Sequence, residues 1–221
     1  MQLNKKQKAP DQGSFCNPNN PTGTLVDPAQ LKEHAEAGAQ KTFVFIDEAY
    51  TEYADIPSLA TWAVTNPNVV VAKTFSKVYG LAGARVGYAV AHPDTIKSLS
   101  IFQPWPDAGV SMVSCNAALA SLDDHDFVKQ CREKAKAARE MCYDCFHKLS
   151  LEYIPSATNF VLFNIDKLKG ALLRAISNAN LQIGANSNRI LLPLYRLCRC
   201  VQNHLLIVTY LNAMLLVHES Q

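Results

Sequence analysis

Apolar positions along this chain fall into two patterns. Thr42 to Ile46 is a short continuous apolar run, which predicts a strand buried on both faces. Asn68 to Ala72 repeats it, Arg85 to Ala91 supplies a third strand, and Thr158 to Asn164 is again strand-like. The stretches between carry helical spacing or turn residues. Asp27 is a good N-cap and Pro28 suits the first helical position, so a helix starts there. It carries Leu31, His34 and Ala35 on one side and ends near Gly38. His92-Pro93-Asp94 opens a second helix, running to about Phe102 and broken by Gln103-Pro104-Trp105-Pro106. From Ser111 to about Ser150 the pattern is nearly all helical, with Asp123 to Asp126 as an interruption and new cap. Phe127, Cys131, Ala135, Ala138, Cys142 and Leu149 form the long apolar side of its second part. Leu168 to Asn178 is expected to be helical too. Strands alternating with helices predict an α/β sheet with crossover connections.

Size and composition add bounds. With 221 residues the chain can hold one sizeable core, or one domain and part of another. A hydrophobic share of 48% against 18% charged residues is that of an ordinary globular protein and argues against disorder over most of the length. A formal net charge of +2 gives no footing for a nucleic-acid or membrane surface. Lys5-Lys6-Gln7-Lys8 reads as a solvated terminus. No secretory signal follows Met1, and Leu205 to Val217 is interrupted by Thr209, Tyr210 and Asn212 and is short for a membrane span, so a cytoplasmic protein is expected. Seven cysteines, an odd number without a secreted-domain framework, are expected to be reduced thiols. Cys142-Tyr143-Asp144-Cys145, near His147 and Cys131, lies within one helix with no second pair at zinc-ribbon spacing. Cys198-Arg199-Cys200 fares no better, and no metal site is expected.

Three segments carry candidate chemistry. Asn17-Pro18-Asn19-Asn20-Pro21-Thr22-Gly23 is a turn cluster by composition. Asp47 comes directly after the apolar run and should stand at the carboxyl end of a buried strand, where ligands of open α/β sheets gather. By itself it reads first as a cap for the segment that follows. Asn20 alone could be a turn former, and a lone Lys77 would be an ordinary surface residue. The third segment runs from Lys73 to Gly87 and holds Thr74, Ser76, Lys77 and Arg85, with Gly80, Gly83 and Gly87 to turn the backbone tightly. Those glycines do not make Gly-x-Gly-x-x-Gly, which argues against a nicotinamide site.

Taken in order, Asn-Pro-Asn-Asn-Pro-Thr-Gly, Asp47-Glu48-Ala49-Tyr50 and Thr74-Phe75-Ser76-Lys77 with Arg85 resemble the cofactor site of class I/II (fold-type I) aminotransferases. The histidinol-phosphate aminotransferase branch is the most similar, over about Cys16 to Phe163. The resemblance implies an α/β fold: a partial fold-type I large domain with a mainly parallel sheet and helices on both faces, then an incomplete small α+β domain. It implies residues 1–150 as the pyridoxal-phosphate-binding part, including a long linking helix, and 151–221 as an incomplete small domain with an atypical tail. The implied cofactor is pyridoxal 5'-phosphate. Lys77 would form a Schiff base with its aldehyde and then move the substrate α-proton. Asp47 would keep the pyridine nitrogen protonated, Tyr50 and Asn20 would donate to the phenolic oxygen, and Thr74, Ser76 and Arg85 would hold the phosphate. Small amino-acid and 2-oxo-acid substrates and a homodimer are implied as partners.

The chain departs from the family pattern at both ends. Sixteen residues precede Asn17, where a complete member has well over a hundred carrying a phosphate-holding glycine loop, a ring-stacking aromatic and several strands. After Asn178 no Arg-x-Ser/Thr-x-Gly context for a substrate-carboxylate arginine appears; Arg189, Arg196 and Arg199 lack it, and the stretch from about Leu181 resembles nothing in the family. Two functional readings follow. One is transamination between an amino acid, histidinol phosphate among the candidates, and a 2-oxo acid; a related lyase is its near neighbour. The other is a truncated, non-catalytic remnant that binds cofactor weakly or acts only as a partner subunit. An isolated α/β module without cofactor is a third, bland reading.

Overall fold

The computed structural model describes residues 13–102, 109–164, 182–183 and 189–193. The chain divides into two compact units, one formed by residues 1–18 and 26–125, the other by residues 19–25 and 126–221.

The first unit is built on a four-stranded sheet in the order β1-β2-β3-β4, with β1 Gly13–Cys16, β2 Val44–Asp47, β3 Val69–Thr74 and β4 Gly87–Val90. β1 with β2 and β2 with β3 run parallel, while β4 returns antiparallel to β3. Between β1 and β2 lies helix α1, Pro28–Ala39. Its start is as the Asp27-Pro28 pair predicts: Oδ1 of Asp27 accepts from the amides of Ala29 and Gln30, and proline occupies the first turn. Between β2 and β3 come the short helices α2, Thr51–Ala54, and α3, Ala60–Ala63. α4, Pro93–Ser100, and α5, Met112–Leu122, follow β4.

Leu31, Ala35 and Ala39 of α1 pack with Leu59, Ala63 and the strand residues Val44, Ile46, Val69 and Val71 into one buried cluster. Four residues of β2 and β3 at alternate positions therefore share a face, as the strand repeat of two requires. The expectation that residues 42–46 would be buried on both faces does not hold within this unit. Phe43 and Phe45, on the other face, keep 39% and 40% of their surface exposed, because α1 and α3 both cover the Val44–Ile46 side. His34, expected among the apolar positions of α1, is exposed, and its Nδ1 lies 2.7 Å from the Gln30 carbonyl oxygen.

The second unit holds the long helix α6, which runs His125–Lys148, beginning at the boundary, and a sheet in the order β5-β6-β8-β7. Its strands are β5 Tyr153–Ile154, β6 Phe160–Asn164, β7 Gln182–Ile183 and β8 Arg189–Pro193, all paired antiparallel. Ala135, Ala138, Cys142, Cys145 and Phe146 bury one stripe of α6, with Phe146 stacked on Phe163 at 4.6 Å. Phe127, predicted to start that stripe, is 40% exposed at the helix's first turns. Arg139 Nη1 donates to the Thr158 carbonyl, and the Tyr143 hydroxyl accepts from the Ser156 amide, so α6 also holds the turn before β6. The helix expected over residues 168–178 lies outside the described residues.

Candidate active site at the carboxyl ends of the parallel strands

Because β1, β2 and β3 run parallel, Cys16, Asp47 and Thr74 end their strands on one edge of the sheet. The chain leaves that edge through three tight connections. After β1, the buried Asn17 donates its amide to the Asp47 carbonyl at 3.0 Å. Its side chain clamps the returning backbone at Val26, accepting from the Val26 amide and donating to the Val26 carbonyl, each at 2.9 Å. After β2, Asp47 Oδ1 accepts from the Ala49 amide at 2.9 Å, so the carboxylate caps the turn that leads into α2. Tyr50 stands at the start of α2 and is 5% exposed. After β3, Thr74 Oγ1 accepts from the Ser76 amide at 3.1 Å and bends the chain toward Lys77.

Lys77 Nζ lies 5.0 Å from the centroid of the Tyr50 ring. The second and third motifs thus meet through the amine and the phenol, at a distance suited to a cation–π contact. Asp47 and Lys77 are both half-buried: reachable, yet shielded from bulk water. Arg85 follows a 3-10 turn, Ala82–Ala84, and takes the left-handed conformation with φ 53°, its Nη1 donating to the Ala82 carbonyl at 2.9 Å. A non-glycine residue there carries backbone strain of about 1–3 kcal/mol, and such strain gathers at functional sites. Of the three glycines in this segment, Gly80 has φ +71°, Gly87 would press a Cβ to 2.8 Å from the Lys73 carbonyl oxygen, and Gly83 faces open space. The tight-turn expectation therefore applies to Gly80, whereas Gly87 opens β4 and allows the close approach to β3.

Asp47, Tyr50, Thr74, Ser76, Lys77 and Arg85 all belong to the first unit. Asn20 belongs to the turn 19–25, which groups with the second unit. Within that turn the side chain of Asn19 accepts from the Thr22 hydroxyl at 2.8 Å, and the Asn19 amide donates to the Thr24 carbonyl at 2.9 Å.

Sequence reasoning passed over the charged residues interleaved with these. Glu48, 2% exposed, accepts from the Leu59 amide at 2.7 Å, from the Ser58 hydroxyl, and from Lys73 Nζ at 3.2 Å. Lys73 Nζ also pairs with Glu52 Oε1 at 2.8 Å. Burial alone would lower the Lys73 pKa, but the carboxylates of Glu52 and Glu48 outweigh it and hold the ammonium above the ordinary lysine value. Tyr79 and Tyr88 are raised as well, first by burial. The signal was present in the sequence: a lysine in an otherwise apolar strand and a glutamate at the end of another each need a buried partner.

Comparison with known proteins agrees with this architecture. The family model described as aminotransferase class I and II matches residues 3–189. The chain belongs to that family. A curated histidinol-phosphate aminotransferase 2 from Carboxydothermus hydrogenoformans is 36% identical over 166 residues, covering 73% of this chain and 45% of the relative. The crystal structure of a histidinol-phosphate aminotransferase from Sinorhizobium meliloti, in complex with pyridoxal-5'-phosphate, superposes with a TM-score of 0.71 at 31% identity, over 83% of this chain and 52% of that one. An L-threonine-O-3-phosphate decarboxylase from Porphyromonas gingivalis shares the fold, with a TM-score of 0.74 at 24% identity over 93% of this chain and 64% of that one. This class I and II aminotransferase chain stands near the histidinol-phosphate branch and spans about half the length of the curated relatives it matches. Its α/β class and fold-type I likeness agree with the sequence-based expectation. Among the described residues no helix is long and apolar enough to cross a membrane.

Proposed function

We propose that this chain carries the pyridoxal-phosphate site of an aminotransferase that acts on histidinol phosphate or a related amino acid and on a 2-oxo acid. The observation that carries the reading is the approach of Lys77 Nζ to the Tyr50 ring, 5.0 Å away, beside the strand end that bears Asp47. The donor set fits the cofactor: an amine for its aldehyde, a carboxylate for its ring nitrogen, a phenol for its ring oxygen, and two hydroxyls with a guanidinium for its phosphate. When bound, pyridoxal phosphate supplies an electron sink that stabilises negative charge at the substrate α-carbon.

The chain's own residues do the rest. Lys77 would hold the cofactor through Nζ at its aldehyde carbon and, with its amine free, would take and return the substrate α-proton. Asp47, oriented through its bond to the Ala49 amide, offers its remaining acceptor positions to a pyridinium N–H. Tyr50, buried below the amine, donates its hydroxyl to the ring oxygen. Thr74, Ser76 and Arg85 bind the phosphate, with Arg85 able to give a bidentate contact. Asn20 is a further donor to the ring oxygen in this reading, and a homodimer is the expected assembly. The similarity to a histidinol-phosphate aminotransferase solved with pyridoxal-5'-phosphate supports the cofactor and suggests the substrate.

The test is absorbance of the purified chain with added pyridoxal phosphate, followed by borohydride reduction and peptide mass mapping, with Lys77→Ala alongside. A visible band that reduction fixes to the peptide holding Lys77 is expected, followed by amino transfer from histidinol phosphate or glutamate. Identical spectra for the wild type and Lys77→Ala would overturn the reading and leave the non-catalytic alternative.

A further inference from the structure

The charged group beside the candidate site has a geometry that packing alone does not call for. Lys73 is the second-last residue of β3, directly before Thr74, and its Nζ reaches two carboxylates, Glu48 in the β2–α2 connection and Glu52 on α2. Glu48 follows the end of β2 and is held by the Leu59 amide and the Ser58 hydroxyl as well as by the parallel pairing of its own amide with the Ala72 carbonyl at 2.9 Å. Glu52 is different: it sits on α2, a helix of four residues, Thr51–Ala54, whose N-cap is Tyr50 and which has no side-chain cap. A helix so short has little stability of its own. Thr51 anchors its first residue, through its hydroxyl to the carbonyls of Glu48 and Asn17 at 3.1 and 3.3 Å. The Lys73–Glu52 ion pair, with the two side chains 10% and 15% exposed, ties this turn to the strand that delivers Thr74 and Ser76.

We propose that Lys73 is a positioning residue, stapling the Tyr50–Ala54 turn to the end of β3 through Glu52 and Glu48 and so fixing Tyr50 opposite Lys77. The staple joins the two segments that must be in register: one bears the carboxylate and phenol, the other the hydroxyls and the amine. The ammonium reaches both carboxylates at once, which a neutral side chain of the same length cannot do. Its consequence for cofactor binding rests on the function proposed above; the staple itself does not.

Hydrogen exchange of the full chain without cofactor tests the staple directly, comparing the wild type, Lys73→Met, Lys73→Arg and Glu52→Gln. Lys73→Met and Glu52→Gln should each speed exchange of the Thr51 and Tyr53 amides by about tenfold or more, on the scale of local opening when a turn loses its anchor, while α1 stays protected. Lys73→Arg should keep exchange within about threefold of the wild type, since it preserves charge and donors. Unchanged exchange at Thr51 and Tyr53 in both neutral variants would overturn the proposal. If Lys73→Met unfolds globally, Glu52→Gln decides by the same criterion, because it keeps shape and removes only charge. Titration with pyridoxal phosphate is the second arm, with the neutral variants expected to bind at least about fivefold more weakly and Lys73→Arg near the wild type. Equal affinity in all variants would overturn the positioning role. No binding by the wild type would refute the cofactor reading, and the exchange data would still decide the staple.

Discussion

Replacing Glu48 with alanine removes a carboxylate that joins β2, β3 and the start of α3. Its oxygens accept from the Leu59 amide at 2.7 Å, from the Ser58 hydroxyl and from Lys73 Nζ at 3.2 Å, in surroundings that leave it 2% exposed. Breaking a buried ion pair by removing one partner costs about 3–5 kcal/mol. Here Glu52 still holds Lys73, which argues for the lower part of that range. The Leu59 amide, buried and left without an acceptor, adds the desolvation penalty of an unpaired donor, about 1–3 kcal/mol. Glu48→Ala should therefore lose about 4–6 kcal/mol, a large share of the stability of a typical domain. Glu48→Gln keeps an oxygen for the Leu59 amide but turns an amide nitrogen toward the lysine, and should lose about 1–3 kcal/mol. The assay is urea unfolding followed by circular dichroism, with midpoints compared at constant slope. Glu48→Ala losing less than about 1 kcal/mol, or Gln costing as much as Ala, would refute the ledger, because the acceptor on the Leu59 amide would then contribute nothing.

Gly23 has φ +71°, and a Cβ there would meet the hydroxyl oxygen and the Cβ of Ser156, the latter at 2.6 Å. Gly23→Ala should cost about 2–4 kcal/mol from left-handed strain and overpacking together, with Ser156→Gly recovering part of it in the double variant; full retention of the urea midpoint would count against this contact. Lys73, Tyr79 and Tyr88 all hold their protons more tightly in the folded chain than ordinary lysine and tyrosine do. Their contribution is complete below the unfolded values, about 10, and is lost as pH rises through the raised ones, so the urea midpoint should fall as pH climbs above about 10, and less steeply in Lys73→Met. Burial pushes the Cys142 thiol up to about 12. Native chain treated with iodoacetamide near neutral pH should leave Cys142 unlabelled until denaturant is added, because the thiolate is the nucleophile; prompt labelling in the folded state would contradict its placement.

The legible parts of this protein were those that local chemistry specifies. Asp27-Pro28 started α1 where a cap followed by proline should, and Asp123 to Asp126 marked the break between α5 and α6. Strand ends were less well read: β3 continues through Lys73 to Thr74, beyond the expected Ala72, because pairing with β4 extends it. β1 went unnoticed, since four residues before a turn carry little pattern, and only its parallel pairing to β2 makes Gly13–Cys16 a strand. The motif residues were found because their order and spacing lie within short stretches. The staple was not, because Glu48 and Lys73 are 25 positions apart and neither belongs to a spacing rule.

By itself the sequence determined the strands β2, β3, β4 and β6, the starts of α1, α4 and α5, and the family to which the three motifs belong. These depend on backbone preferences, caps and short-range order, all written within a few residues. Only the tertiary structure decided that the Val44–Ile46 side of β2 is covered while Phe43 and Phe45 keep two-fifths of their surface. The same holds for Lys77 meeting Tyr50, and for Glu48, Glu52 and Lys73 closing on one another. A strand's alternation names two faces but not which one a helix returns to cover, and a buried charge announces its need for a partner without naming it.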